Sequence, residues 1–422
     1  MVERRCDRYV QIFGSVDLEV VSELPDGSVG WIISAEYAAR SRQILGRRIG
    51  VANRLVVDPV TWRLDPDLRW MLAPDGGLKP IYRRLIEAYR VPTDEMPWRL
   101  RGSDALERYV IDVLEFQERQ LDTSRTPTDD ELFGVDLLPP STRRVRPDRL
   151  LTPTVLVTNR ASLEDQETLW AATPSEFRGL PVDLALVISG RSLADSANVR
   201  AIATAMRPGR RIWIFVTQFR SLLRTSAGVE AASAIRPAVR RLLDRGPVGL
   251  LQAGHHLAML VVDGVDAIAF ALHLEGGGER KSRGGPALPY GYVTAAHGLA
   301  SFDDIRPVLL DAADGDTFAH WYCPDPLCVQ RFERLGASAY VREMFTAEPT
   351  LRGWQAAPAS RALQRRHGVR ARLMELDRIM SMPERDLMRV LAAEARQSPF
   401  DLARQDLEAW LDAFARERVM VR

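Results

Sequence analysis

At 422 residues, with 46% hydrophobic and 27% charged side chains, the chain is long enough for one large domain with attachments or two ordinary ones. It contains no run of about 18 apolar residues and no apolar core behind Met1-Val-Glu-Arg-Arg-Cys, so neither a membrane span nor a signal peptide is expected. Three cysteines are too few for a disulfide framework, which fits a cytoplasmic setting, and a net charge of +1 excludes a global electrostatic pull toward nucleic acid while leaving local patches open.

In chain order, short β-branched runs alternate with helical stretches. Trp31-Ile-Ile-Ser34 precedes a helical Glu36–Ile44, and Leu55-Val-Val-Asp58 ends at Pro59. Thr154–Thr158 precedes Asp165–Trp170, Leu184–Ile188 precedes Asn198–Met206, and Arg211–Val216 follows a Pro208-Gly209 turn. Val248–Leu251 precedes His256–Val262, and Ala267–Leu272 closes the series. These runs are apolar on both faces, as parallel strands covered by helices must be. Seven such strands, most followed by a helix, predict a (β/α)8 TIM-like barrel over residues 1–300, with a doubly wound open sheet as the alternative. The eighth strand is expected between Trp70 and Arg101 or in an N-terminal hairpin. A Pro-, Thr-, Asp- and Arg-rich stretch around 122–153 reads as an insertion. Residues 301–422 read as a helical C-terminal subdomain, with helix-period apolar positions over Leu363–Met380, Pro383–Arg396 and Leu402–Val419.

The segment Cys323-Pro-Asp325-Pro-Leu-Cys328, followed by His367 on the next long helix, holds side chains able to close a tetrahedral zinc site. Buried free thiols are the ordinary alternative for Cys323 and Cys328, and His320 is a substitute for Asp325 as the oxygen or nitrogen ligand. Basic clusters at Arg143–Arg149, Arg207–Arg211, Arg280–Arg283 and Arg365-Arg366 read first as solvated faces.

Gly249-Leu-Leu-Gln252-Ala-Gly254-His-His, running to Gly264-Val-Asp266-Ala-Ile-Ala269-Phe270, resembles the final βαβ unit of the tRNA-guanine transglycosylase superfamily. In that family a Cys-x-Cys-x-x-Cys segment follows, then a helix beginning with His. Here Cys323-x-Asp325-x-x-Cys328 and His367 stand in those places, with aspartate for the middle cysteine. Leu55-Val-Val-Asp58 resembles the family's strand that ends in an active-site aspartate. The resemblance implies a structural Zn2+ on Cys323, Asp325, Cys328 and His367, and exchange or recognition of guanine or a 7-deazaguanine base in tRNA or DNA. Two departures stand out: Ala269 where the family carries its nucleophilic aspartate, and Pro59-Val60 where glycines follow the strand aspartate.

Chemistry in a (β/α)8 barrel sits at the carboxyl ends of the strands. That face nominates Asp58, His273 and Glu275 as catalytic groups, with Glu275 standing in for the missing aspartate. Gln252, whose amide offers a donor and an acceptor, resembles a base-recognising position, with Gly254 and His255 beside it. Arg280, Lys281 and Arg283, in a glycine-rich loop, add charge for a polynucleotide backbone or belong to a surface loop over the mouth. Each of these is singly more ordinary as a strand-end polar group, and His255 with His256 reads equally as a helix-start pair. Thr294-Ala-Ala-His297-Gly resembles the histidine turn of trypsin-like proteases, but the partner Gly-Asp-Ser-Gly-Gly turn is absent, so it is taken as chance. A transglycosylase-like protein is therefore expected. The alternatives are an inactive barrel that binds nucleic acid or a partner protein, and an unrelated small-molecule barrel enzyme using His273 and Glu275. A homodimer is compatible with all three.

Overall fold

The computed structural model describes residues 5–25, 27–40, 54–64, 72, 76–91, 104–119, 146–271, 290–350 and 353–420. Ten strands build the main sheet: β1 (Asp7–Ile12), β2 (Gly30–Ser34), β3 (Leu55–Asp58), β4 (Leu150–Leu151), β5 (Leu156–Val157), β6 (Glu176–Phe177), β7 (Leu180–Ser189), β8 (Ile212–Thr217), β9 (Val248–Leu250) and β10 (Ala267–Ala271). Their order is β3-β2-β1-β10-β9-β8-β7-β4, with every pair on this path parallel. β4 and β5 are two halves of one stave: Leu150 faces Val182 and Leu156 faces Val187, so one extra residue bulges between them. β6 only folds back antiparallel on the start of β7. The seam between β3 and β4 is short. It consists of a parallel bridge from Val56 to Arg149, the Asp148 amide donating to Leu55 O at 2.8 Å, and the Leu55 amide donating to the Asp148 carboxylate. Eight parallel staves thus make a nearly closed (β/α)8 barrel, and the open-sheet alternative is excluded.

The eighth stave is β1, before Trp31, and not between Trp70 and Arg101, where the described residues hold the Leu72–Leu78 bridge and the helix Pro80–Ala88. Arg8 and Gln11 interrupt the apolar run of β1, which hides it from a pattern reading. Gln11 is nevertheless fully buried, because its amide meets Asp58. The expected insertion also ends earlier than its composition suggests. Residues 120–145 lie outside the described residues, but β4 begins at Leu150, where Arg149 pairs with Asp183 at 2.7 Å.

Side chains alternate as the pleat demands. Along β8, Trp213 and Phe215 point into the barrel while Ile212, Ile214 and Val216 face the helices; along β10, Ala267 and Ala269 point in and Ile268 and Phe270 out. Small residues face large ones across the interior. A Cβ on Gly249 would stand 2.6 Å from the Trp213 ring, so only glycine lets that ring lie flat against β9.

After β10 the chain leaves the barrel. The hairpin β11 (Tyr290–Val293) and β12 (Gly298–Ser301) leads into four helices, Phe302–Leu310, Gly315–Trp321, Pro326–Leu335 and Ala337–Met344, and then a second hairpin, β13 (Ala347–Thr350) and β14 (Gly353–Ala356). This region has its own core, rich in aromatic rings: Phe302, Phe318, Tyr322, Phe332, Tyr340 and Phe345. The boundary expected near residue 300 falls inside the first hairpin. The helix Pro358–Ser381 then returns and packs between Ser15–Ser22, which follows β1, and Met259–Asp263, which follows β9. It is therefore the outer helix that belongs between β10 and β1. Its Val369, Leu376 and Ile379 join the barrel's outer core. Arg365 pairs with the buried Asp17 at 2.9 Å, and Arg366 donates to Glu23 at 2.8 Å. Glu384–Gln397 and Asp401–Met420 complete the helical C-terminal region, with Trp410 edge-on to Phe219 at 5.1 Å.

Candidate functional site

The cysteine knuckle forms for local reasons. Asp325 caps the helix Pro326–Leu335, its carboxylate accepting from the Leu327 amide at 3.1 Å, and Pro326 fills the first helical position. This cap folds Cys328, in the first turn, back toward Cys323, whose Sγ accepts from the Asp325 amide at 3.4 Å. From the returning helix, His367 brings Nδ1 to 3.5 Å from Cys328 Sγ, while its Nε2 donates to the Tyr292 carbonyl at 2.8 Å. That second bond fixes the tautomer so that Nδ1 presents its lone pair to the sulfurs. Cys323, Cys328 and His367 are all buried, and their ligand atoms lie within 4.8 Å of one another. Hydrogen bonding from Cys328 holds the Cys323 thiol below its ordinary range against the opposing effect of burial, with His367 adding to the lowering. The same contact and burial push Cys328 upward. The donor set, two sulfurs and an oriented imidazole, fits a divalent metal.

Asp325 stands at the edge of this group. One oxygen serves the helix cap and the other lies 3.5 Å from Cys328 Sγ, outside the set gathered within 4.8 Å. His320 lies elsewhere, against Trp321 at 4.3 Å. It lines a cleft of about 300 Å³ that also touches Pro324, Arg378 and Glu394. A second cleft, about 630 Å³, opens on Cys328 and His367 and carries Arg331, Arg334, Arg366 and Arg370 on its walls.

Two turns further along the same helix stands a group that the sequence does not announce. Glu375 Oε1 is 2.7 Å from His297 Nδ1, and Oε2 is 3.2 Å from His255 Nδ1. The Tyr292 hydroxyl donates to Oε2 as well. His297 Nε2 lies 2.8 Å from Glu394 Oε2, and Arg378 donates to the other Glu394 oxygen at 2.6 Å. The His255 and His297 rings stack with centroids 4.2 Å apart. Burial works against a charged His297, but Glu375 and Glu394 outweigh it and raise the ring to about 9. Burial and the charge on His297 lower His255. Burial also disfavours ionised Glu375, yet the two imidazoles hold its carboxyl far below the ordinary range. His255, His297 and Glu375 form a second buried set with ligand atoms within 4.8 Å.

The barrel mouth holds Asp58 at the end of β3. Gln11 Nε2 donates to one oxygen and the Val60 amide to the other, both at 3.0 Å. Burial pushes its carboxyl up to about 6, against the lowering by the Val60 amide and Arg63. Gln252, after β9, is buried, and its Oε1 has no hydrogen-bond partner among the described residues. Gly254 caps the short helix His255–Ala258, so the stretch chosen from the sequence for base recognition leads straight into the His255–Glu375 group. Ala269 is fully buried in the barrel interior. Three non-glycine residues with positive φ follow strand ends on this one face: Val60 (46°), Gln218 (59°) and Gln252 (49°). Such strain, least tolerable for a β-branched valine, collects where a fold positions chemistry. His273, Glu275, Arg280, Lys281 and Arg283 lie outside the described residues.

Glu375 and Glu394 escaped the sequence reading, and His297 stood in it only as a chance likeness to a protease turn. Each is one polar residue in an otherwise ordinary helix or turn, and only the returning helix brings them together. The one local sign is His297 at φ 49°, a left-handed position between β11 and β12.

No protein-family model matches the chain, and no curated protein matches it. What fold and site define is a (β/α)8 barrel whose last outer helix carries two groups able to hold a metal ion. Among the described residues no helix is long and apolar enough to cross a membrane.

Proposed function

We propose that the chain is a transglycosylase-like barrel that acts on a guanine or 7-deazaguanine base in tRNA or DNA. The observation that carries this reading is the meeting of Cys323, Cys328 and His367 after the last barrel strand, with the histidine supplied by the helix that returns to the ring. In this reading the metal is a structural Zn2+ held by those three side chains, with Asp325 at hand for a further oxygen. It ties the returning helix to the aromatic-cored region, and its chemistry is that of a crosslink.

The base enters at the carboxyl ends of the strands. Asp58, with its carboxyl at about 6, holds or releases a proton near neutrality and so suits proton transfer at a departing base. Gln252 Oε1, without a partner among the described residues, is an acceptor for a purine N–H. Ala269 cannot attack an anomeric carbon, so a covalent step requires another carboxylate, and Glu275 is the first to follow β10 in sequence. Arg280, Lys281 and Arg283 would meet the polynucleotide backbone.

The test is incubation of the purified protein with tRNA or duplex DNA and labelled guanine. Incorporation that disappears in Asp58→Asn supports the reading; no incorporation into either polymer removes it. A second reading, an inactive barrel that binds nucleic acid or a partner protein, is favoured by the buried Ala269. Salt-sensitive binding to either polymer that survives Asp58→Ala, without exchange, would establish it.

A further inference from the structure

We propose that His255, His297 and Glu375 form a second metal centre, one that takes a divalent first-row ion such as zinc on nitrogen and oxygen ligands, distinct from the cysteine site. Four features argue for it. First, the donor set is complete: two imidazoles and a carboxylate from three separate segments, all buried, with ligand atoms within 4.8 Å. Two histidines and one glutamate are a sufficient set for such an ion and leave a coordination position for water or a ligand. Second, the outer groups are those that orient metal-bound histidine. Glu394 holds the far nitrogen of His297 at 2.8 Å and is itself fixed by Arg378 at 2.6 Å.

Third, the buried Nε2 of His255 has no hydrogen-bond partner among the described residues. An imidazole nitrogen left unpaired in this way is a donor atom available to an ion beyond the chain's own atoms. Fourth, a cleft of about 300 Å³ lies beside the group: Glu394, which holds His297, is 32% exposed and lines it.

Charged His297 bridges the two carboxylates through its two ring nitrogens, Nδ1 toward Glu375 and Nε2 toward Glu394. A bound ion would displace the Nδ1 proton to solvent, while the Nε2 proton would stay in its hydrogen bond to Glu394.

The experiment is a metal count on the intact chain. The protein is stripped, dialysed into metal-free buffer and loaded with Zn2+ or Co2+. Two equivalents are expected. His255→Gln should hold one, and after cobalt loading should keep the strong thiolate-to-cobalt charge-transfer absorption of the cysteine site. Glu394→Gln, altered at a half-exposed position that tolerates exchange, should retain both ions with one bound about ten- to a hundredfold more weakly. Cys328→Ser should keep one cobalt with weak d–d bands alone. A wild-type count of one or none, or a count unchanged in His255→Gln and an affinity unchanged in Glu394→Gln, overturns the proposal. If Cys328→Ser fails to fold, the His255 and Glu394 variants still decide it.

Discussion

The two candidate metal groups share one helix and differ in almost everything else. His367 and Glu375 are eight residues apart on Pro358–Ser381, about 12 Å along the axis. The first group is made by a short knuckle: two thiols five residues apart, a capping aspartate and one distant histidine. Its chemistry is soft, and a backbone carbonyl orients its imidazole. The second draws its members from the loop after β9, the β11–β12 turn and two C-terminal helices. Its chemistry is hard, and carboxylates orient it. The lesson concerns the distance over which chemistry is encoded. A knuckle can be read from spacing because the chain itself brings its ligands together. A group whose members are 42, 78 and 19 residues apart (His255 to His297, to Glu375, to Glu394) exists only once the barrel has its last helix.

Four variants can break or sharpen that contrast. The largest effect is expected from Glu375→Gln, which leaves His297 buried without its principal counter-charge. A loss of ~3–5 kcal/mol in urea unfolding is expected; a loss under 1 would mean that the group is not electrostatically organised. Next is Asp58→Asn, read as a function of pH. The folded carboxyl is raised from 3.8 to about 6, so its protonated form is the one the fold favours. That contribution is complete below about pH 4 and is lost as pH rises through 6. The asparagine variant should therefore gain on the wild type by up to roughly 3 kcal/mol between those limits. A difference independent of pH would show that Asp58 titrates normally. Third, Gly249→Ala drives a methyl into the Trp213 ring and should destabilise by about 1–3 kcal/mol without touching either metal group. An unchanged melting temperature would contradict the packed interior. Smallest is Arg365→Ala, at the helix dock. It should weaken stability by about 1–2 kcal/mol by removing the ion pair to Asp17, whose other oxygen still accepts from the Phe13 amide, measurable as a shift in the urea midpoint at constant slope.

Much of the architecture was legible. Seven staves and three C-terminal helices lie where apolar runs and helical periodicity put them, because burial on both faces leaves a run that composition cannot hide. β1 was missed because Gln11 is polar, its amide donating to the buried Asp58, and that buried hydrogen bond interrupts the core pattern. Cys323, Cys328 and His367 were legible together; Asp325 was found, but the structure employs it first as a helix cap. The role of Pro358–Ser381 as a barrel helix was not legible, since nothing local marks a helix as belonging to strands some 90 residues earlier. Glu375 shared that fate.

That late return has a consequence for biosynthesis. All eight staves have left the ribosome long before the segment that must lie beside β1 and β10. Until residue 381 emerges, the sides of Ser15–Ser22 and Met259–Asp263 that pack on this helix lack their cover along one flank of the nascent ring. Translation pausing ahead of residue 358 would prolong that exposure, and a chaperone that binds apolar grooves would find its client there.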